Sequence, residues 1–95
     1  MSAFVIARIS IKDPAKFQEY SQGLGPTLAQ FGGKPVARGK LSEVLAGEAD
    51  HMMAAVVEFE SFEKAEAWSS SEAYQALRPI RDAAADVSMA IYKAG

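Results

Sequence analysis

Strand-like and helix-like segments follow one another in this chain in the order βαββαβ, and no other feature of the sequence restricts the fold as strongly. The strand-like segments show alternating apolar residues and lie at residues 3–11, 35–38 with 41–45 (one strand bent at Gly39), 52–59 and 86–92. Helix-like segments connect the first strand to the second and the third to the fourth. With right-handed crossovers, this order predicts a ferredoxin-like α+β fold, a four-stranded antiparallel sheet with both helices on one face.

The first helix has start and stop signals. Asp13 is suited to cap it, and Pro14 fits the first helical position because that position needs no backbone N–H. Gly32 and Gly33 end the helix, since glycine adopts the left-handed cap conformation at little cost. Pro26 predicts a kink that divides the segment into two helical pieces. The apolar stripe of this segment consists of Phe17, Tyr20, Leu24, Leu28 and Phe31.

The second helical stretch is predicted to contain more than one helix. Ser61 is expected to cap the first of them, and Ser71 to cap a further one. A break near Leu77 is expected because Pro79 follows it. The apolar residues at helical spacing in this stretch are Phe62, Ala65, Trp68, Tyr74, Leu77 and Ile80.

Both faces of the first strand are largely apolar. Val5 points to one face of the sheet, whereas Phe4 and Ile6 point to the other. Helices on one side cover only one face, so the second face would be exposed in a monomer. A second copy related by a two-fold axis is the simplest cover, and we therefore expect a homodimer.

Composition excludes several classes of protein. The chain has 95 residues, which suits one domain over residues 1–95. Its net charge is −2 and its 10 Lys and Arg residues are scattered, which argues against nucleic-acid binding. It has no cysteine, so disulfides and Cys-metal sites are excluded, and it has no cofactor motif. No apolar run is long enough for a membrane span, and the chain begins with a strand rather than a basic stretch followed by an apolar one, so no signal peptide and a cytoplasmic location are expected.

Four stretches of the chain carry a family resemblance over nearly its whole length. They are Phe4-Val5-Ile6-Ala7-Arg8; Gly32-Gly33 with Val36-Ala37-Arg38-Gly39; Val57-Glu58-Phe59 with Ser61-Phe62-Glu63; and Ala67-Trp68 with Ser71, Tyr74-Gln75 and Arg81. In order and spacing the chain resembles the domain-of-unknown-function family numbered thirteen-thirty, of the dimeric α+β barrel superfamily. It departs from that family's usual aromatic, Asn and Pro at Ser69, Ser70 and Glu72.

The resemblance implies a homodimeric barrel and no particular activity. Relatives in the superfamily include cofactor-free quinone-forming monooxygenases, muconolactone isomerases and haem-degrading enzymes. The chain has no Asn and no His in a helical segment, so it lacks side chains expected of the haem-degrading relatives. Assigning any of these reactions to it would rest on fold-level analogy.

Trp68, Tyr74 and Arg81 are the strongest candidates for a binding site. An aromatic pair and a guanidinium lining one pocket would suit a small aromatic or carboxylic acid, since rings stack and Arg binds carboxylates bidentately. The alternative is that the two aromatic residues belong to the core and Arg81 pairs at the surface. Both interpretations stay open at this stage.

Other charged residues give weaker signals. Arg8 and Glu58 lie mid-strand on neighbouring strands, which suggests an ion pair inside the barrel or at a dimer interface. Arg38 lies at a predicted bend, where it either reaches the pocket or is solvated. His51, the only histidine, lies in a turn and is expected to be exposed and inert; no metal site is predicted.

Two classes of function remain. One is a protein that binds or transforms a small aromatic or acidic metabolite without a cofactor, with Trp68, Tyr74 and Arg81 binding it and Arg38 or His51 assisting. The other is a non-enzymatic dimeric binding or accessory module. A ligand pocket would favour the first, and a filled core would favour the second.

Overall fold

Four strands form one antiparallel sheet in the computed structural model, which describes residues 2–94. They are β1 (Ala3–Ile11), β2 (Lys34–Lys40), β3 (Met53–Phe59) and β4 (Ala85–Lys93). Their order in the sheet is β2-β3-β1-β4, and each neighbouring pair is antiparallel. The predicted ferredoxin-like fold is confirmed.

The first helix, α1 (Pro14–Gln30), is one continuous helix. Asp13 caps it by accepting a hydrogen bond from the backbone N–H of Lys16 at 3.2 Å. The predicted division at Pro26 is wrong: Tyr20 and Leu28, before and after the proline, are buried in the same core, and their packing keeps the helix intact. The helix ends as predicted, with Gly32 at a φ of 74°.

Three shorter helices follow β3, namely α2 (Phe62–Ser70), α3 (Glu72–Gln75) and α4 (Arg78–Ala84). Both predicted serine caps are present. Ser61 accepts from the N–H of Lys64 and Ser71 from the N–H of Tyr74, each at 3.2 Å. The break between α3 and α4 includes Leu77, where it was predicted.

The second strand is shorter than predicted. It ends at Lys40, and residues 41–45 are not part of the sheet. The N–H of Leu41 still donates to the carbonyl of Met52 at 2.7 Å. Beyond that bond β3 has no further residues to pair with, because it begins at Met53. The chain therefore leaves the sheet, and Leu45 is 90% exposed.

The two faces of the sheet have different neighbours. The helices cover the face that carries Ala3, Val5 and Phe59, which lie in the main core cluster with residues of α1, α2 and α3. We call the opposite face the open face. It carries, by strand alternation and register, Phe4, Ile6, Arg8, Ala54, Val56, Glu58, Ser88, Ala90 and Tyr92.

The strand register excludes the ion pair predicted across β1 and β3 within one chain. Arg8 lies opposite Ala54, whereas Glu58 lies opposite Phe4. Four strand positions separate Arg8 from Phe4, a distance of about 13 Å along the strand. Both charges nevertheless share the open face, so a pair between two copies of the chain stays a prediction.

Within residues 2–94, no helix has the length and apolar character needed to cross a membrane.

Candidate functional site

A pocket of about 300 Å³ lies where the helical stretch after β3 crosses the sheet beside β4. The helices contribute Trp68, Tyr74, Arg78 and Arg81 to its wall. The strands contribute an apolar floor that includes Val5, Met89 and Ile91. The structure thus brings together Trp68, Tyr74 and Arg81, three of the residues that the sequence analysis selected.

Trp68 is held rigidly at the inner end of the pocket. Its side chain is 3% exposed, and its ring centroid lies 4.4 Å from that of Tyr74 and 5.6 Å from that of Phe59. Its indole N–H donates to the hydroxyl of Thr27 on α1 at 3.0 Å. That hydroxyl in turn donates to the carbonyl of Leu24 at 2.7 Å. These two hydrogen bonds satisfy both the indole N–H and the Thr27 hydroxyl proton, so the indole orientation is well defined.

Tyr74 connects the core to the pocket. It is 2% exposed, and its hydroxyl lies 3.0 Å from the hydroxyl of Tyr20 on α1. Arg81 Nη1 donates to the same Tyr74 oxygen at 3.0 Å. The pKa of Tyr20 is raised well above its ordinary value, first by burial and then by its hydrogen bond to Tyr74. Tyr20 therefore stays protonated in the folded protein.

Arg81 is charged and fixed at the pocket wall. Its Nε donates to the Asp82 carboxylate at 3.0 Å, and its side chain is 16% exposed. Burial by itself would lower the pKa of Arg81, but hydrogen bonds to Tyr74 and Asp82 outweigh burial and raise it. Since Nη1 and Nη2 carry further N–H groups, the guanidinium retains donors for a ligand.

The pocket wall has a clear excess of positive charge. Arg78 and Arg81 both line it, and among the described residues no carboxylate does. Arg78 Nη1 donates to the side-chain oxygen of Gln75 at 2.9 Å. Aromatic and apolar surface next to two guanidinium groups is suited to an organic anion.

Arg38, the fourth predicted site residue, does not lie in this pocket. It lines a separate open groove of about 490 Å³, together with Arg8 and His51. The reason is the strand order: β2 and β4 are the two edges of the sheet, with β3 and β1 between them. Three strand spacings, about 14 Å, therefore separate the edge that carries Arg38 from the edge at the pocket.

His51 is mostly buried, so its predicted exposure is wrong. Its side chain is only 11% exposed, and it lies between Asp50 on the same turn and Asp86 on β4. The distances are 2.9 Å from Nδ1 to Asp50 and 3.7 Å from Nε2 to Asp86. The hydrogen bond to His51 lowers the pKa of Asp50. Over residues 2–94, no cluster of three or more acidic or histidine side chains is arranged to hold a metal ion.

Three site residues were missed from the sequence: Tyr20, Thr27 and Arg78. Tyr20 was assigned to the apolar stripe of α1, and Thr27 lies two helical turns further along the same face. A hydroxyl group on a buried helix face needs a partner, and that requirement was the available signal. The partners turned out to be the two pocket aromatics, Tyr74 and Trp68.

Comparison with known families gives one match over nearly the full chain. Residues 2–94 match the model of a family described as "Domain of unknown function (DUF1330)". No curated protein matches the chain.

Several solved structures share the fold. A protein of unknown function from Rhodopseudomonas palustris is 18% identical with a TM-score of 0.82, the match covering 99% of this chain and 82% of that one. SnoaB, a cofactor-independent oxygenase from Streptomyces nogalater, is 13% identical with a TM-score of 0.71, covering 99% and 93%. A dimeric ferredoxin-like protein of unknown function from Jannaschia sp. CCS1 is 7% identical with a TM-score of 0.74, covering 99% and 100%. At such identities the similarity establishes the fold alone.

Proposed function

Because the chain belongs to the DUF1330 family, whose description assigns no activity, we propose a function from its own pocket. The protein is a cytoplasmic homodimer that binds a small aromatic or acidic metabolite between the sheet and the helices and uses no cofactor. The observation that carries this proposal is the charge of the pocket wall, with Arg78 and Arg81 and no carboxylate among its described residues.

The chemistry of the wall supports an aromatic acid as the ligand. A guanidinium binds a carboxylate through paired, charge-assisted hydrogen bonds, and Arg81 is already oriented by Tyr74 and Asp82. The apolar floor beside Met89 and Ile91 suits a planar ring, since thioethers make favourable contacts with aromatic edges. The volume of about 300 Å³ lies at the lower end of the range for ligand pockets.

In the enzymatic form of the same proposal, the protein also transforms the metabolite that it binds. The support for this form is the fold shared with SnoaB, which is described as a cofactor-independent oxygenase. That support is analogy at the level of the fold, so we assign no reaction step to any residue.

A second copy of the chain is proposed to cover the open face. Phe4, Ile6 and Val56 are only half-buried there, and Tyr92 is 47% exposed. The helices occupy the other side of the sheet. The turn at residues 48–51 lies against the end of the open face that carries Arg8 and Ala54, whereas Phe4, Ile6 and Tyr92 keep exposed surface. The structurally similar protein from Jannaschia is described as dimeric.

One observation favours a different function, a dimeric accessory module that binds no metabolite. Trp68 and Tyr74 are 3% and 2% exposed, so most of their surface already packs in the core. Under this alternative the two aromatic residues serve stability, and Arg81 serves to satisfy the Tyr74 hydroxyl.

A thermal-shift screen of the purified protein separates the two functions. The compounds are benzoate and cinnamate, with quinones, lactones and flavins as further classes. We expect an aromatic acid to raise the melting temperature of the wild type, because a ligand that binds only the folded state stabilises it. Arg81→Ala and Arg78→Ala should each lose that shift, whereas Arg38→Ala, in the separate groove, should retain it.

Arg78→Ala is the safer of the two pocket variants. Within residues 2–94 the Arg78 side chain bonds to exposed Gln75 alone, whereas Arg81 bonds to Tyr74 in the core. A shift that survives both variants would contradict binding at this pocket. The absence of any shift in a folded protein would favour the accessory module.

A further inference from the structure

The hydroxyl of Tyr74 has two donors beside it and one weak acceptor. Arg81 Nη1 and the Tyr20 hydroxyl each lie 3.0 Å from it, and Met89 Sδ lies 3.9 Å away. A guanidinium has donors only, so the Tyr74 oxygen must accept the hydrogen bond from Arg81. The direction of the Tyr20 bond then decides where the Tyr74 proton goes.

The acceptors beside the two hydroxyls favour one direction, because Tyr74 can also donate to Met89 Sδ. Tyr20 is 5% exposed, and among the described residues Tyr74 is the one hydrogen-bond partner of its hydroxyl. If Tyr74 donated to Tyr20, the Tyr20 proton would be buried without an acceptor, an arrangement that folded proteins avoid. Tyr20 is therefore the donor, and the Tyr74 oxygen accepts two hydrogen bonds.

The proton of Tyr74 is left with a poor partner. The thioether of Met89 is a weak acceptor, and 3.9 Å is a long distance even for sulfur. Tyr74, Met89 and Arg81 all line the same pocket. An oxygen atom of a ligand in that pocket is a better acceptor than the sulfur, and a negatively charged oxygen is better still.

We propose that Tyr74 and Arg81 together bind one anionic oxygen of the ligand, and that Tyr20 is a positioning residue which keeps the Tyr74 proton directed into the pocket. This inference rests on the proposed function and narrows its ligand class to planar aromatic oxyanions, of which aromatic carboxylates are the simplest. Donation from Arg81 and Tyr20 into the Tyr74 oxygen polarises its O–H bond, because hydrogen bonds in a chain strengthen one another.

The test compares charged and neutral probes of the same shape. Benzoate and cinnamate are titrated against wild type and variants by calorimetry, with benzamide and cinnamamide as their neutral isosteres. Tyr74→Phe should weaken binding of the acids by about ten- to hundredfold, since a hydrogen bond to a charged group is lost. Tyr20→Phe should weaken it by about two- to tenfold through the lost positioning bond.

A purely structural role for the two phenols would weaken acids and amides equally, so the ratio of acid to amide affinity is the decisive measurement. We expect this ratio to fall in Tyr74→Phe and, less strongly, in Tyr20→Phe. Tyr92→Phe, on the open face, is the matched control and should leave both affinities unchanged.

The outcomes separate the two proposals. If both acids bind wild type and depend on Arg78, yet Tyr74→Phe keeps the wild-type ratio, the role of Tyr74 is overturned and the proposed function survives. If neither acid binds wild type up to its solubility limit but another compound of the thermal-shift screen does, the oxyanion site is overturned and the proposed function survives. If no compound binds, both proposals are overturned. Circular dichroism of each variant establishes that it is folded before the titrations are compared.

Discussion

The indole N–H of Trp68 donates to the hydroxyl of Thr27 at 3.0 Å, and this bond joins α2 to α1 through the core. Both residues are buried, with 3% of Trp68 and 6% of Thr27 exposed. The bond gives the pocket aromatic a single orientation, and it makes a residue of α1 part of the support for the site.

Replacing Thr27 with Val should therefore destabilise the protein. Valine matches threonine in shape but leaves the indole N–H buried without an acceptor, at a cost of about 1–3 kcal/mol. Thr27→Ser keeps the hydroxyl and is the control. It should lose less stability than Thr27→Val. Urea unfolding of the three proteins measures the free energies. A loss in Thr27→Ser with none in Thr27→Val would show that the methyl group of Thr27, not its hydroxyl, supports the indole.

Replacing two of the glycines with alanine should change the free energy of unfolding in opposite directions. A Cβ at Gly33 would lie 2.8 Å from the Phe59 ring, which is fully buried, and 3.0 Å from Leu28. Gly33→Ala should destabilise by about 1–3 kcal/mol through overpacking. Gly25 lies inside α1 with nothing within 4 Å of such a Cβ. Gly25→Ala should stabilise by about 0.5–1 kcal/mol through helix propensity.

Denaturant unfolding of the two glycine variants measures both changes in the free energy of unfolding. A stable Gly33→Ala protein would mean that the Phe59 ring can move away from residue 33. A destabilised Gly25→Ala protein would indicate that another molecule packs against this part of the helix.

Charge reversal tests the proposed dimer. Arg8 and Glu58 lie four residues apart along the open face on neighbouring strands. The dimer arrangement we test is a two-fold related copy whose strands run the opposite way, with each Arg8 facing the partner's Glu58. Arg8→Glu and Glu58→Arg should each weaken self-association, because like charges then face one another. Mixing the two variants should give a heterodimer, since opposite charges meet again at both positions.

Native mass spectrometry and light scattering measure how much homodimer and heterodimer form. The double variant Arg8→Glu/Glu58→Arg should dimerise like wild type and is the control. Homodimers of wild-type strength from both single variants, with no preference for the mixed species, would exclude this arrangement of the two copies. A monomeric wild type would exclude the dimer itself.

The contact between Asp50 and His51 should titrate in acid. The pKa of Asp50 is lowered because His51 hydrogen-bonds to its ionised form. A lowered pKa in the folded state means that the stabilisation is present above the unfolded pKa of the carboxyl and is lost as the pH falls through the folded one. In His51→Ala the pKa of Asp50 should rise toward its ordinary value of 3.8.

NMR titration of the Asp50 carboxyl carbon measures this shift directly. His51→Gln, which retains a side-chain N–H donor, is the matched variant and should preserve part of the lowering. An unchanged Asp50 pKa in His51→Ala would mean that other groups near the turn, not His51, set its value.

Local chemistry made several elements predictable. Asp13, Ser61 and Ser71 cap helices as expected, because a side-chain oxygen next to free backbone N–H groups needs no information from elsewhere in the chain. Prediction failed at Pro26, where burial on both sides of the proline outweighs its local preference. It failed again at residues 41–45, where an apolar segment has no strand to pair with.

For the candidate site, the sequence grouped Trp68, Tyr74 and Arg81, and the structure places all three around one pocket; that they bind a ligand stays a prediction. They lie on consecutive short helices, so helical spacing and the caps between them were enough to place them near one another. Spacing carried no information on Arg38, because its distance from the pocket depends on the order of strands in the sheet. His51 was misjudged for a similar reason, since Asp86 comes from a strand distant in sequence.

The sequence by itself determined the βαββαβ order, the helix caps and the two apolar faces of β1, because periodicity and capping depend on residues within a few positions of one another. Only the tertiary structure decided that Tyr20 and Thr27 support the pocket, that Arg38 lies at the opposite edge, and that Arg8 and Glu58 are separated on the open face. Those relationships depend on strand register and on how α1 packs against the later helices, and both are set by contacts between segments far apart in the chain.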